Sequence, residues 1–335
     1  MNIKVSVVVP IYNAGPYLKS CLDSLKSQTL QDMEFILVLD CPTDESDSIA
    51  ESYANADSRF VIVHNTENLH IGESRNRGID EARGEYIGFC DHDDYCRPEM
   101  FETLYAAASR DNADVCLSFL WHRYGRNGEN NEYFQFPSVA FDSSSAADAI
   151  IASYPMKRDV PSYNNIRSVW LQILKTAYVR KNGIRFVDTK QSTFEDIYYC
   201  ANEFLFNPRV TVIPEYFYCW ISNSESASNT YAYLSPDKVV RFNEELYELL
   251  VRSGNIDRYY SAMGCCLVRR MYTMFVSGGG IRTIGALWKS DKMCLFTRDI
   301  SRHFYRIKGL PPTKWAYFWA IMFPLSCMKK LSMKK

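Results

Sequence analysis

Tyr86-Ile87-Gly88-Phe89-Cys90-Asp91-His92-Asp93-Asp94 is an apolar run that ends in three carboxylates within four residues. The run has the length and bulk of a buried strand. Carboxylates this close repel one another, and they stay ionised only beside a cation or in a solvated pocket. In extended backbone, residues i and i+2 share a side, so Asp91 and Asp93 would face one ion together and His92 would point away. Hard oxygen ligands suit Mg²⁺ or Mn²⁺, and such ions are usually completed by substrate phosphates. The tetrad reads either as a metal–diphosphate site or as a solvated acidic loop after a strand. Taken alone it does not choose.

The chain on either side decides the fold. Val5-Ser6-Val7-Val8-Val9 is a β-branched run closed by Pro10, and 35–39 is a second strand closed by Asp40. A third strand is expected at 60–63. Pro16 opens a helix with Leu18, Cys21, Leu22 and Leu25 at helical spacing. Thr43 or Asp44 can cap another carrying Ile49, Ala50 and Tyr53. A short helix at 74–81 precedes the strand at 86–90. This alternation predicts an α/β fold: a doubly wound, mostly parallel sheet with helices on both faces. Ligands of such sheets bind beyond the carboxyl ends of the strands, which puts Asp40 and the 91–94 tetrad at one crevice.

The second half reads as a helix at 99–108, strands at 115–120 and 169–174, and a helix over Thr176–Asn182 stopped by Gly183. A helix at 194–206 follows, then strands at 210–213 and 216–221 split by Pro214. The polar stretch 123–140 is expected to be a loop over the site. Beyond residue 235 the pattern is helical, with Gly278-Gly279-Gly280 as a break.

The 335 residues are 47% hydrophobic and 23% charged, with net charge −1, which gives no electrostatic case for binding nucleic acid. The 11 cysteines include no C-x-x-C pair, and Cys265-Cys266 are adjacent; they read as reduced thiols of a reducing compartment. Met1-Asn2-Ile3-Lys4 runs straight into a strand, without a basic region and apolar signal core, so a cytoplasmic location is expected. No G-x-G-x-x-G occurs, which argues against a nicotinamide dehydrogenase.

Residues 315–328 are apolar and aromatic, flanked by Lys314, Lys329, Lys330, Lys334 and Lys335. A spanning helix needs about 20 residues, and Pro324 interrupts this one. The segment is expected to lie in a membrane interface with its lysines on anionic headgroups. The alternative is a C-terminal helix packed on the protein's own core.

Five motifs in order carry a resemblance. Val5-Ser6-Val7-Val8-Val9-Pro10-Ile11-Tyr12-Asn13, Leu39-Asp40-Cys41-Pro42-Thr43-Asp44, Gly72-Glu73-Ser74-Arg75-Asn76-Arg77-Gly78-Ile79, Gly84-Glu85-Tyr86-Ile87 and the acidic tetrad resemble the family-2 glycosyltransferases of GT-A fold, over roughly residues 5–225. The resemblance implies transfer of a sugar from a nucleotide-diphosphate donor, UDP-linked by expectation, with inversion and with Mn²⁺ or Mg²⁺. The implied acceptor is a glycan or lipid-linked hydroxyl of surface polysaccharide synthesis, met at the inner face of the cell membrane.

Residue by residue, the resemblance places Pro10, Tyr12, Asp40, Arg75, Asp91 and His92 at the nucleotide-sugar. Tyr12 would lie against the base and Asp40 would accept an N–H from uracil. Arg75 would stand near the diphosphate, with a surface salt bridge to Glu73 or Glu81 as its plain alternative. Asp93 is the implied metal ligand, Asp91 touches ribose or metal, and Asp94 and His92 are supporting groups. Gly72 fits a tight turn before the Arg75 helix. The catalytic base falls in Glu195-Asp196. Ser192-x-x-Glu195 is also a capping box, so Glu195 is either an alternative base or a helix cap, and Asp196 is assigned as the base. Trp170 and Lys175 are candidate acceptor contacts, and Trp170 has a core role as its alternative.

The chain departs from the family where a pair of acids followed by Gly-Ser is usual. Leu39-Asp40-Cys41-Pro42 keeps only the second acid, and Tyr218-Cys219-Trp220 lacks the arginine many relatives have. The expected domains are 1–230 (nucleotide-sugar half 1–110, acceptor half 111–230), a helical extension at 231–300 and a basic aromatic segment at 301–335. Two other readings remain open: a degenerate nucleotide-sugar binder or scaffold, and a sugar-phosphate nucleotidyltransferase. The latter would want a Gly-rich basic loop where Pro10-Ile11-Tyr12-Asn13-Ala14-Gly15 stands.

Overall fold

In the computed structural model of the chain, the apolar runs of the first half become β1 (Val5–Ile11), β2 (Met33–Leu39), β3 (Phe60–His64) and β4 (Tyr86–Phe89). They lie parallel in the order β3-β2-β1-β4. The structure describes residues 3–124, 130–138, 141–152, 162–163, 166–221 and 235–332. Every residue of β1, β2 and β4 is buried, which requires cover on both faces of the sheet. That cover includes α1 (Gly15–Lys26), α2 (Ser46–Ala56) and α3 (His70–Glu81). α3 starts four residues before the expected 74 and packs on β1 and β2. A Cβ at Gly78 would lie 2.2 Å from Val8 Cγ1, so only glycine lets α3 come this close.

The sheet continues beyond β4 with a change of direction. β8 (Gln172–Lys175) runs antiparallel to both β4 and β6 (Val115–Tyr124). β9 (Val210–Ile221) is parallel to β6, and β5 (Tyr95–Cys96) and β7 (Asn130–Phe134) close the edges antiparallel. The first half is parallel as expected, and the second half makes the sheet mixed.

Three local expectations change. Residues 169–171 form a 3₁₀ turn, and the strand begins only at Gln172. Residues 210–221 are one strand: Ser118 pairs with Ile213 and Phe119 with Tyr216, so Pro214 and Glu215 bulge out where a missing N–H costs no ladder bond. Within the expected 123–140 loop, 130–134 is strand β7 on β6, while 125–129 and 139–140 lie outside the described residues.

α4 (Met100–Asp111), α5 (Ser143–Ala152), α6 (Thr176–Asn182) and α7 (Glu195–Phe204) pack around the sheet. α6 ends at Gly183 with φ 60°, as read from the sequence. The extension follows as α8 (Pro236–Arg252), α9 (Tyr260–Met274), α10 (Gly280–Lys289) and α11 (Asp291–Arg302), with α9 seated on α5 and α8. The triple-glycine break is a π-helical turn over Phe275–Gly279. α12 (Pro312–Tyr317) and α13 (Phe323–Ser332) flank a second π-turn, and α13 packs on α11. Among the described residues, no helix is long and apolar enough to cross a membrane.

One buried carboxyl sets a pH dependence of stability. Glu203 in α7 is fully buried, and Gln172 Nε2 donates to its Oε2 at 2.7 Å. Burial pushes its pKa well above the usual carboxylate range. The folded state therefore keeps a proton that the unfolded chain loses above its ordinary value of 4.5. This contribution is intact below that pH and is lost as pH rises toward the folded pKa, at about 1.4 kcal/mol per pH unit. Glu203→Gln is expected to be near neutral at pH values around 5 and increasingly more stable than wild type on the alkaline side. Denaturant melts across pH check it; equal slopes for the two proteins would refute it.

Candidate active site

β1, β2 and β4 end at one edge, and the residues just past them build the site. Asp40 follows β2 and is buried, and its N–H donates to the Ile11 carbonyl at 2.9 Å. Its Oδ1 accepts from Asn65 Nδ2 at 2.8 Å and from the Leu69 N–H at 2.7 Å. Asn65 also donates to Ser74 Oγ at 3.0 Å, so the ends of β2 and β3 and the start of α3 fix this carboxylate together. Tyr12, just past β1, is 46% exposed. The next residue, Asn13, adopts φ 48°, and its Oδ1 accepts from the Thr43 N–H at 2.7 Å, which ties the two loops. Cys41, standing beside Pro42 in the departed motif, has φ 55°, a left-handed conformation that favours glycine.

The acidic tetrad is a turn, not an extended strand. The Asp94 N–H donates to the Asp91 carbonyl at 3.2 Å, so chain reversal rather than strand alternation sets the relation of Asp91 to Asp93. Asp94 is 2% exposed. It accepts from Tyr218 Oη at 2.7 Å and from the Ile221 N–H at 2.7 Å, a supporting role as expected. Tyr218 Oη in turn accepts from the Asp91 N–H at 3.0 Å. His92 Nδ1 lies 3.0 Å from the Pro10 carbonyl oxygen, which fits an N–H donor and ties β1 to the turn. Asp91 and Asp93 stay half-buried.

Burial, and then the Asp93 and Asp91 charges, push the Asp94 pKa well above the usual range. A cation at the turn would relieve that repulsion. Among the described residues no three His, Cys, Asp or Glu form a metal cage. Asp93 and Asp91 offer two carboxylates at the turn, so an ion held there would need phosphate oxygens to complete its shell.

Arg75 joins this turn to α7. It is 2% exposed, with Nη2 donating to Asp91 Oδ1 at 2.6 Å and Nη1 to Glu195 Oε1 at 3.0 Å. Its guanidinium also lies 5.2 Å from the Phe186 ring centroid. Burial opposes its charge, and the Asp91 and Glu195 carboxylates outweigh that and raise its pKa. Neither expected surface partner is used; Glu81 pairs with Arg77 at 3.2 Å instead. Gly72 lies within α3 rather than in a turn. A Cβ there would meet the Val187 carbonyl at 2.2 Å, so its role is close approach of the 187–189 loop.

The capping box does not form. α7 begins at Glu195, after Phe194 at φ 55°, so Glu195 is the first helical residue rather than the third, and its carboxylate is spent on Arg75. Arg270 of α9 holds the Phe194 turn, with its Cζ 3.8 Å from the ring centroid. Asp196 stands next in α7, its Oδ1 accepting from the Ile197 N–H at 2.7 Å. Desolvation and the neighbouring Glu195 charge push its pKa up to about 7. A carboxylate with that pKa is poised for proton transfer near neutrality.

The two acceptor candidates stand in different surroundings. Trp170 is 8% exposed and stacks on Tyr218 at 4.3 Å, so it braces the Tyr218 ring from within the core. Lys175 ends β8, which is antiparallel to β4, and so pairs with Tyr86 at the edge opposite the acids; its Nζ donates to Asn112 Oδ1 at 2.8 Å. Tyr218 and Asn65 escaped the sequence reading. The Tyr-Cys-Trp run marked Tyr218's strand but not its partners, and nothing in the sequence marks Asn65.

An open α/β sheet with a buried aspartate, a carboxylate turn and a buried arginine at its carboxyl edge has the architecture of a GT-A domain. Residues 6–159 match the family model Glycosyl transferase family 2, and the chain belongs to that family. It is 30% identical over 241 residues to the cholesterol galactosyltransferase of Borreliella burgdorferi, covering 70% of this chain and 65% of that one. It is 46% identical over 111 residues to the uncharacterized glycosyltransferase EpsJ of Bacillus subtilis, 33% of this chain and 32% of that one. It is also 27% identical over 254 residues to the poly(ribitol-phosphate) beta-glucosyltransferase of Bacillus spizizenii, 75% of this chain and 37% of that one. The chain thus spans from about a third to just under two thirds of these relatives' length. The crystal structure of S. aureus TarS 1-349 in complex with UDP-GlcNAc shares the fold, with TM-score 0.68 and 21% identity over 99% of this chain and 91% of that one.

Proposed function

We propose that the chain is an inverting glycosyltransferase. It takes a sugar from a UDP-linked donor and places it on a hydroxyl of a glycan or lipid-linked acceptor, in surface polysaccharide synthesis on the cytoplasmic side of a membrane. The observation that carries this reading is the single ion-paired chain Asp91–Arg75–Glu195 with Asp196 beside it. It joins the donor turn to a carboxylate whose pKa is near neutrality. The TarS complex with UDP-GlcNAc supports the choice of uridine for the nucleotide.

Tyr12 offers a ring face to the base. The bonds to Asp40 fall on Oδ1, which leaves Oδ2 for a uracil N–H. Asp93 and Asp91 would hold Mn²⁺ or Mg²⁺, which supplies charge neutralisation for a departing diphosphate. Asp196 accepts the acceptor hydroxyl's proton as that oxygen bonds to the anomeric carbon and the sugar–phosphate bond breaks. Attack from the face opposite the leaving group inverts the anomeric carbon. Arg75 holds Asp91 and Glu195 in place, and Tyr218 fixes the turn from behind.

Asp93→Ala is expected to lower transfer by at least ~100-fold. Metal stabilisation of transition-state charge is worth several kcal/mol, and each 1.4 kcal/mol is tenfold. The measurement is UDP release from a panel of UDP-sugars with Mn²⁺, with and without lipid-linked acceptors. No turnover of any donor by wild type, together with Mn²⁺-dependent UDP binding, would favour the degenerate binder that the Leu39, Cys41 and Pro42 departures suggest.

A further inference from the structure

Between Ile300 and Lys335 the sequence carries eight Lys or Arg and no Asp or Glu, in a chain of net charge −1. The helical segment inside this stretch has two unlike faces. Tyr317, Phe318 and Met322 turn inward and are buried. On the other side Ala316, Trp319, Ala320, Pro324 and Met328 are exposed, and 316, 320, 324 and 328 recur every four residues along one helix face with Trp319 beside them. Phe304 and Tyr305, in the turn after α11, are 53% and 69% exposed. The Phe304 ring lies 6.2 Å from Trp319, which also meets Trp315 at 6.5 Å and Phe323 at 5.4 Å. Exposed Arg302 and Lys308 stand on either side of the Phe304–Tyr305 pair.

We propose that this aromatic face, Phe304 and Tyr305 with Trp319 and Met328, docks the protein on an anionic phospholipid bilayer. The inference rests on the membrane-side reading above and gives it a surface. Aromatic side chains favour the bilayer interface, where an apolar body and a wet edge are both accommodated, and neighbouring Lys and Arg meet anionic headgroups. A stretch with no acidic residue suits that partner better than a second copy of itself, which would bring like charges together. One face of the segment packs on the protein, and the other is exposed.

The test is flotation of the full chain with vesicles of phosphatidylcholine alone or mixed with phosphatidylglycerol. Wild type should bind the mixed vesicles at least about tenfold better than the neutral ones, with weaker binding as salt rises. Trp319→Glu combined with Phe304→Ser should weaken that binding at least about tenfold, and Arg302→Glu with Lys308→Glu about as much. All these positions are exposed, and unchanged melting temperatures would verify folding. Tryptophan emission of wild type should shift to the blue on the mixed vesicles. Equal binding of variants and wild type, or no preference of wild type for anionic vesicles, would overturn the proposal. So would light scattering that finds a dimer which Trp319→Glu dissociates. UDP release is read separately: flotation without turnover of any donor would sink the transferase reading and leave the docking surface standing.

Discussion

Asp196→Asn is expected to lower kcat by about 10²–10⁴-fold, the range a positioned general base contributes, while UDP affinity stays nearly unchanged. Asn has almost the shape of Asp and keeps an acceptor for the Ile197 N–H, so the α7 start should hold. What disappears is the capacity to take a proton. A base works in its ionised form, and burial with the Glu195 charge raises the Asp196 pKa to about 7. The wild-type rate should therefore fall on the acid side of about pH 7, and the residual rate of the variant should lack that limb. Glu195→Gln is the control. Its carboxylate already binds Arg75 at 3.0 Å, so it should change the position of the limb more than the maximum rate. Without the Glu195 charge beside it the Asp196 pKa should fall, so the limb should move to lower pH. If instead Glu195→Gln abolishes kcat and Asp196→Asn does not, the two roles are reversed.

The parts of this site that were legible in the sequence are those fixed by local pattern. Asp40 and the tetrad follow β-branched or apolar runs, and a strand end in a doubly wound sheet is a site by topology. The four parallel strands are equally local, since a run such as Val5–Ile11 buries both faces. What escaped depends on distance along the chain. Arg75 meets partners 16 and 120 residues away, and Tyr218 meets Asp91 across 127 residues. Periodicity carries no information on such pairs. The same limit explains Lys175, because the residues of β8 read alike whether the strand runs up or down the sheet. β7 was missed for another reason: Asn130–Phe134 is a mostly polar edge strand whose composition is that of a loop. The extended reading of the tetrad failed because Asp94 is pulled inward by Tyr218 and Ile221, and that pull bends the chain into a turn.

Arg75→Met should be the most disruptive single change in the domain. The guanidinium is the buried partner of two carboxylates, and its removal takes that partner from both Asp91 and Glu195. Breaking a buried ion pair from one side typically costs about 3–5 kcal/mol, since the desolvated charge remains. The Arg75 charge also lowers the Asp196 pKa, so the acid limb of whatever activity survives should move upward, opposite to its movement in Glu195→Gln. Arg75→Lys separates charge from geometry. One ammonium can neutralise part of the site but cannot fork to both carboxylates, so stability should be partly restored and donor binding less so. Denaturant melts, UDP titrations and transfer rates across pH measure these effects. A Met variant as stable as wild type at neutral pH would show that the Asp91–Arg75–Glu195 link does not hold the 91–94 turn to α7.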